Sequence, residues 1–308
     1  TSWQAADLVK NHRAYYESSL KNYHKIRYEN QPTQKYDEGR RVSTMIGLRI
    51  YSLFYWYVQY LRDQTDILLT ATSVSSQQIA IALSQELHQQ LSIYWNDNII
   101  SQCQWHHQRV LAHARQLLDQ VTQLPIGQEH SISAGYKNEQ SAHCIYITVQ
   151  HTASHFVVRI DNRYLSQKIS HVPKKSHPHR LHTTSQHSQI QPACIAWFLS
   201  SQFSKHRSWL LSYFIQAITY YIDVKASPKK TLQALYRPKA APRIGKQPDI
   251  CKNWPYRPVQ TIDNCVIRSN NVGMRIRLGE KLYRIIRQLE SKSLFLGKQF
   301  FSEEKEEK

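Results

Sequence analysis

The chain has 308 residues, 41% of them hydrophobic and 11% aromatic, which excludes a mainly disordered protein and leaves room for one large or two medium domains. Its net charge of +18 favours an anionic partner, without choosing among nucleic acid, anionic membrane, inositol phosphate and acidic protein. Glycine is scarce, and neither GxGxxG nor GxxxxGK[ST] occurs, so we exclude a glycine-rich nucleotide-binding loop.

The first 125 residues are predicted to form a helical subdomain. One helix is expected in "SWQAADLVKNHRAYYESSLKNYHKIRY" and a second over residues 38–63, followed by a third that begins after "TATSVSS", breaks near "NDN" and resumes to about residue 124. The apolar stretch "MIGLRIYSLFYWYVQYL" contains Arg49 and Gln59 and is shorter than the roughly 20 apolar residues of a spanning helix. We expect a buried core helix there, no transmembrane segment, and no signal peptide.

The pattern then changes to short strands. "HSISAGYKN", "AHCIYITVQ" and "HFVVRIDN" are rich in β-branched and aromatic residues, and "HTAS" is typical of the turn between the last two. Cys144, Tyr146 and Thr148 alternate with apolar residues, as in a half-buried strand. The sequence predicts a β-meander here.

The remainder is predicted to be loop and helix. Residues 166–189 form an exposed loop rich in histidine and lysine, "ACIAWFLSSQFSKHRSWLLSYFIQAITYYIDV" is a helical insertion over about 190–224, and a connector runs from 225 to 258. A terminal helix follows Cys265, and the acidic tail over 301–308, which ends in "SEEKEEK", is expected to fray. The fold class is therefore α+β, with an α+β domain over 126–300 behind the helical subdomain.

Cys265 has polar neighbours and follows Gln260 by five positions, which is unusual for a core cysteine. A thiol nucleophile needs an imidazole to take its proton and a group that orients the imidazole. His143 begins one predicted strand and Asp161 ends the next, so antiparallel pairing is expected to bring the two side chains together. The sequence thus predicts a Cys-His-Asp site.

The order His143, Asp161, Gln260, Cys265 resembles the clan of adenovirus-type and ubiquitin-like-protein-specific cysteine proteases, which includes the YopJ-type acetyltransferases. The motifs "SAHCIYITV", "FVVRIDN" and "QTIDNC" also look like cysteine protease-like domains of bacterial type IV-secreted effectors. The resemblance covers about residues 125–290. Ala142 and Asp263 stand where that pattern has glycine.

The resemblance implies a helical bundle packed on a papain-like, Ulp-like core. It makes Cys265 the nucleophile, His143 the general base and then acid, Asp161 the orienter and Gln260 an oxyanion donor. It implies no cofactor, and as substrate a host protein, with ubiquitin or a ubiquitin-like protein as the candidate. The tail resembles type IV export signals, so delivery into the host cell cytoplasm is expected.

Competing residues are less suited to these roles. Cys194 also follows a glutamine, Gln189, by five positions, but its apolar surroundings favour buried filler in a helix; Cys103, Cys144 and Cys251 are expected to be inert. His155 begins the strand that Asp161 ends, about 20 Å away at roughly 3.3 Å per residue, too far for a hydrogen bond.

Two further clusters leave alternatives open. His171, His177, His179, His182 and His187 are expected to bind metal loosely at most, because no carboxylate or cysteine completes a site. A second set of basic residues is either a solvated face or a patch for inositol phosphate, anionic lipid or RNA: Lys174, Lys175, Arg180, Lys229, Lys230, Arg237 and Lys239. The alternatives to a hydrolase are therefore an acetyltransferase on the same triad and a non-enzymatic basic module that binds nucleic acid or membrane; no specific nucleic acid is predicted.

Overall fold

A computed structural model of the protein describes most of the chain. The described residues are 38–61, 74–103, 106–137, 142–162, 181–183, 188–223, 225, 227–254, 257–258 and 265–306. The chain divides into two compact units, Thr1–Tyr94 with Arg277–Lys308, and Trp95–Ile276.

Most of the structure is helical, and it also contains a small antiparallel sheet, which is compatible with the predicted α+β class. The helices are α1 (Glu38–Leu61), α2 (Ser76–Gln102), α3 (His107–Thr122), α4 (Phe203–Ile222), α5 (Pro228–Tyr236), the single turn α6 (Asp249–Lys252) and α7 (Cys265–Glu306). The strands are β1 (Glu129–Lys137), β2 (Ala142–His151), β3 (His155–Asp161), β4 (Leu181–Thr183), β5 (Ser188–Ile190), β6 (Ala193–Leu199) and β7 (Arg257–Pro258).

The first unit buries the apolar helix that the sequence singled out. α1 ends two residues short of the predicted 38–63, and its Arg49 forms a buried ion pair with Glu290 of α7 at 2.7 Å. The indole Nε1 of Trp56 donates to the carbonyl of Leu289 at 2.8 Å. Within the part of the chain that the structure describes, no helix is both long and apolar enough to cross a membrane. The expectation of a core helix is confirmed.

The second unit is built on a four-stranded sheet in the order β1-β2-β3-β6, with antiparallel pairing throughout. The three predicted strands are confirmed, and the predicted turn between β2 and β3 is closed by the hydrogen bond from Thr152 N to His155 O at 2.8 Å. A smaller sheet has the order β4-β5-β7. The β-meander is therefore real and is extended by β6.

The two faces of the larger sheet differ in chemistry because side chains alternate along each strand. On β2, Ile145, Ile147 and Val149 belong to the apolar core that includes buried residues of α3, α4 and α5. We call this side the helix face. Tyr146 and Thr148 project from the other side, which we call the polar face.

Several predicted elements are wrong. The region 166–189, expected to be an exposed loop, contains strand β4 and the start of β5, and the connector over 225–258 contains helices α5 and α6. α2 continues through the "NDN" segment, where a break was expected. The predicted helix over about 190–224 is helical only from Phe203, because Ala193–Leu199 is strand β6, buried beside β3. α3, which the sequence analysis placed in the helical subdomain, contributes Val110, Leu117 and other buried residues to the core of the sheet unit.

Candidate active site around His143

His143 lies on the helix face of the sheet, at the start of β2. It is 5% exposed and pairs in register with Tyr136 of β1, whose ring centroid is 6.0 Å from that of the imidazole. Tyr136 in turn packs against the apolar core. The imidazole therefore lies beside the aromatic ring of Tyr136 on the neighbouring strand β1.

Asn162 orients the His143 ring. Its Oδ1 is 3.1 Å from Nε2 of His143, while its Nδ2 donates to the hydroxyl of Tyr236 in α5 at 2.7 Å. Because Nδ2 is committed to Tyr236, the amide presents an acceptor to the ring, and Nε2 carries the hydrogen. Burial raises the pKa of Tyr236, so its hydroxyl stays protonated at neutral pH. In neutral His143 the basic nitrogen is then Nδ1.

Asp161 does not orient His143, and this corrects the sequence-based assignment. Its carboxylate accepts from Arg159 Nε at 2.9 Å and from Thr148 Oγ1 at 2.9 Å, both on the polar face. The side chain of His143 projects from the opposite face, and Asp161 pairs in register with Tyr146, three residues further along β2. The paired strands β2 and β3 do bring a polar side chain to the His143 ring, but it belongs to Asn162, the residue after Asp161.

The Asp161 carboxylate belongs to a buried ion network. Arg159, fully buried, also donates to both carboxylate oxygens of Glu129, at 2.7 and 2.9 Å. Burial opposes the charge on Arg159, but the two carboxylates raise its pKa above the ordinary value. Burial raises the pKa of Asp161, against the opposing effect of Arg159. The network is structural in character, because its oxygens and nitrogens bind one another.

Gly135 lets β1 approach the backbone of His143. Its φ is +130°, and a Cβ built on it would lie 1.9 Å from the His143 carbonyl oxygen. A side chain there requires a shift of the β2 backbone, since real Cβ atoms do not come so close. Gly135 therefore fixes the strand that carries the imidazole.

Cys265 is the first residue of α7, and its side chain lies outside the described part of the structure, as does all of Gln260. One helical turn further on, Ser269 is fully buried, and its hydroxyl donates to the backbone carbonyl of Cys144 at 3.4 Å. Cys144 directly follows His143. The first turns of α7 are therefore close to the strand segment that holds the imidazole.

The competing residues have other surroundings. Cys194 lies in strand β6 rather than in a helix, partly exposed, with its sulfur 3.3 Å from that of Cys251. His155, at the far end of β3 from Asp161, bonds to Ser154 Oγ at 2.8 Å. Among the described residues no group of three or more His, Cys, Asp and Glu could hold a metal ion.

Parts of the two sequence clusters cannot be located. Four members of the histidine cluster, and the basic members before β4, lie outside the described residues: His171, His177, His179, His187, Lys174, Lys175 and Arg180. His182 is in β4. Lys229 and Lys230 are exposed in the first turn of α5, and Arg237 is exposed just beyond its end. Metal binding and a basic patch remain predictions.

Comparison with known proteins gives no relative for this chain: no family model, no curated protein and no solved structure matches it.

Asn162 is the site residue that the sequence argument missed. It is the last residue of the motif "FVVRIDN", and its position directly after Asp161 was the available signal, because adjacent residues at a strand end project to opposite sides. Which of the two would meet the imidazole depends on which face His143 occupies. The alternation along β2 decides that: His143 shares its face with Ile145 and Ile147, both in the apolar core.

Proposed function

We propose that the protein is a cysteine hydrolase in which Cys265 is the nucleophile, His143 the general base and acid, and Asn162 the residue that orients the imidazole. The observation that carries the proposal is the hydrogen bond between His143 Nε2 and Asn162 Oδ1, with the amide fixed by Tyr236. An imidazole held in this tautomer offers Nδ1 as a base, and a Cys-His-Asn set is an established alternative to Cys-His-Asp.

The position of Cys265 in the chain supports the nucleophile assignment. The first residue of a helix lies at the positive end of the helix dipole, which lowers the pKa of a thiol. Residue 265 is also four positions before Ser269, so both share one helix face. Ser269 bonds to the residue after His143, so the described start of this helix lies near the strand that carries the base.

The reaction follows from these roles. His143 Nδ1 takes the thiol proton of Cys265, and the thiolate adds to the carbonyl carbon of an amide or isopeptide bond. The backbone N–H of Cys265, with Gln260, stabilises the oxyanion, and a donor of this kind is worth about 2.7–4 kcal/mol in the transition state. The intermediate collapses as His143 protonates the leaving amine. Water, deprotonated by His143, then hydrolyses the thioester.

Thiol reactivity tests the proposal without a known substrate. With limiting iodoacetamide at pH 7, Cys265 is expected to be alkylated about tenfold or more faster than Cys103 or Cys144, because a lowered pKa raises its thiolate fraction. His143→Ala is expected to remove that advantage, and Asn162→Ala to reduce it. The rates are measured by mass spectrometry of the alkylated peptides.

His155→Ala is the matched control, because His155 lies on the adjoining strand and its ring bonds to the neighbouring Ser154. This variant is expected to leave Cys265 labelling unchanged. Asp161→Asn is expected to lower stability while preserving the labelling of the folded protein. If Cys265 reacts equally fast with and without His143, the hydrolase proposal is wrong.

A thiol isopeptidase and an acyltransferase can be distinguished by the acyl donor with which each reacts. Ubiquitin and ubiquitin-like proteins carrying a C-terminal electrophile trap a thiol isopeptidase as a covalent adduct at Cys265. Labelled acetyl-coenzyme A instead acetylates an acyltransferase. Label from acetyl-coenzyme A without any adduct from the first panel favours acyl transfer.

A further inference from the structure

Two thiols far apart in the sequence meet beside the polar face of the sheet. Cys194 of β6 and Cys251 of α6 have their sulfur atoms 3.3 Å apart, within hydrogen-bonding distance, and both are free thiols. A disulfide bond is about 2.05 Å long, so the sulfurs are within about 1.3 Å of bonding distance.

The surroundings of the pair favour one thiolate. Cys251 is 4% exposed and packs with Val157 and Trp254, while Arg159 lies over the Trp254 ring at 5.7 Å and adds positive charge. The hydrogen bond from Cys194 lowers the pKa of Cys251 although burial opposes this. The same bond, together with burial, raises the pKa of Cys194. Cys251 is thus the sulfur that ionises first, and Cys194 holds the proton.

We propose that Cys194 and Cys251 form a reversible disulfide when a small hydroperoxide reaches the pair. The Cys251 thiolate attacks one peroxide oxygen, the O–O bond breaks, and the departing hydroxide takes a proton from solvent, so the products are a sulfenic acid and water (for hydrogen peroxide). The Cys194 sulfur then attacks the sulfenic sulfur, the S–O bond breaks, and the leaving hydroxyl takes the Cys194 thiol proton and departs as a second water. Two thiols are oxidised by two electrons and one peroxide is reduced; an excess of dithiol reverses the change.

The bond would fasten a specific segment to the sheet. Asp249–Lys252 and Trp254 lie against the polar face, held by Trp254 beneath Arg159 and by Gln191 Nε2, which donates to the carbonyl of Lys252 at 3.3 Å. A bond from Cys251 to Cys194 closes a loop of 57 residues and restricts the unfolded chain. The oxidised protein is therefore expected to melt several degrees higher.

Hydrogen peroxide applied to the full chain with Cys265→Ser tests this proposal independently of the hydrolase proposal. We expect the loss of two hydrogen atoms in the intact mass, a cross-linked peptide pair containing residues 194 and 251 under non-reducing digestion, and a higher melting temperature, all reversed by dithiothreitol. Because the peptide map is made without changing either residue of the pair, the result does not depend on a variant that folds poorly.

The control variants isolate the pair. Cys194→Ser and Cys251→Ser are each expected to abolish the mass loss, whereas Cys103→Ser, which changes a buried thiol elsewhere, is expected to leave it intact. An unchanged mass, oxygen addition to Cys251 without cross-linking, or a disulfide to any other cysteine overturns the proposal. Fast alkylation of Cys265 in the parent chain would be unaffected by any of these outcomes.

Discussion

The two faces of the four-stranded sheet bury different kinds of side chain. On the helix face, residues such as Ile147 and Ile160 belong to the apolar core that includes buried residues of α3, α4 and α5. On the polar face, the fully buried Arg159 is neutralised by Glu129 and Asp161. The comparison shows that a carboxylate predicted to orient a histidine can instead belong to an ion network on the opposite face of the same sheet.

The largest effect on stability is expected from replacing Arg159, which lies at the centre of the ion network on the polar face. Arg159→Met leaves Glu129 and Asp161 buried without their cation, and removing one partner of such a group typically costs about 3–5 kcal/mol in the free energy of unfolding. Urea denaturation followed by circular dichroism measures the loss.

A triple variant gives the matched control. Combining Arg159→Met with Glu129→Gln and Asp161→Asn removes all three charges together and is expected to recover a large part of the loss, because no uncompensated charge remains. Equal destabilisation of the single and triple variants would show that packing, rather than charge, makes Arg159 important.

A second buried carboxylate, that of Asp97, sharpens the comparison because burial dominates its pKa. Both oxygens of Asp97 are buried, and burial raises the pKa of Asp97 to about 7 against the opposing effect of the Ser133 hydroxyl. Between about pH 4 and 7 the unfolded chain has released this proton while the folded chain keeps it, so stability falls as pH rises, by about 4 kcal/mol in total.

Asp97→Asn is therefore expected to remove that slope and to stabilise the protein at pH 7.5 relative to the parent chain, with little difference near pH 4. Unfolding free energies at several pH values measure it. Asp119→Asn is the control, since Asp119 is exposed and pairs with Arg207 at the surface. A parent chain that is as stable at pH 7.5 as at pH 4.5, relative to the variant, would contradict the raised pKa.

The smallest effect on stability is expected at Gly135 of β1, which lies against the backbone of His143. Gly135→Ala forces a side chain into a left-handed backbone position and against the His143 carbonyl, which is expected to cost about 1–3 kcal/mol. The same change is expected to slow alkylation of Cys265, because it displaces the strand that carries the base.

Gly127→Ala is the matched control: its φ of +85° is also left-handed, but nothing lies within 4 Å of an added Cβ. It is expected to lower stability without changing the labelling rate. If both variants slow labelling equally, Gly135 has no special role in positioning His143.

Local pattern predicted the strands well and the segment around Cys194 poorly. β2 alternates apolar and polar residues and is bounded by turn formers, which is a strong local signal. "ACIAWFL" is apolar at nearly every position, as expected either for a buried helix or for an inner strand, and only its pairing with β3 separates the two. The helix predicted over about 190–224 is confirmed from Phe203 onward, whereas its first third contains strand β6.

The sequence by itself determined the charge, the α+β composition, the meander of β1 to β3 and the chemical types that a thiol site requires. Tertiary structure alone decided that Asn162 rather than Asp161 meets His143, that Arg159 takes up the carboxylate, and that Cys194 meets Cys251. The physical reason is that alternation fixes the relative sides of neighbouring residues, whereas the choice of which side faces the helices depends on burying the whole apolar surface of the sheet at once.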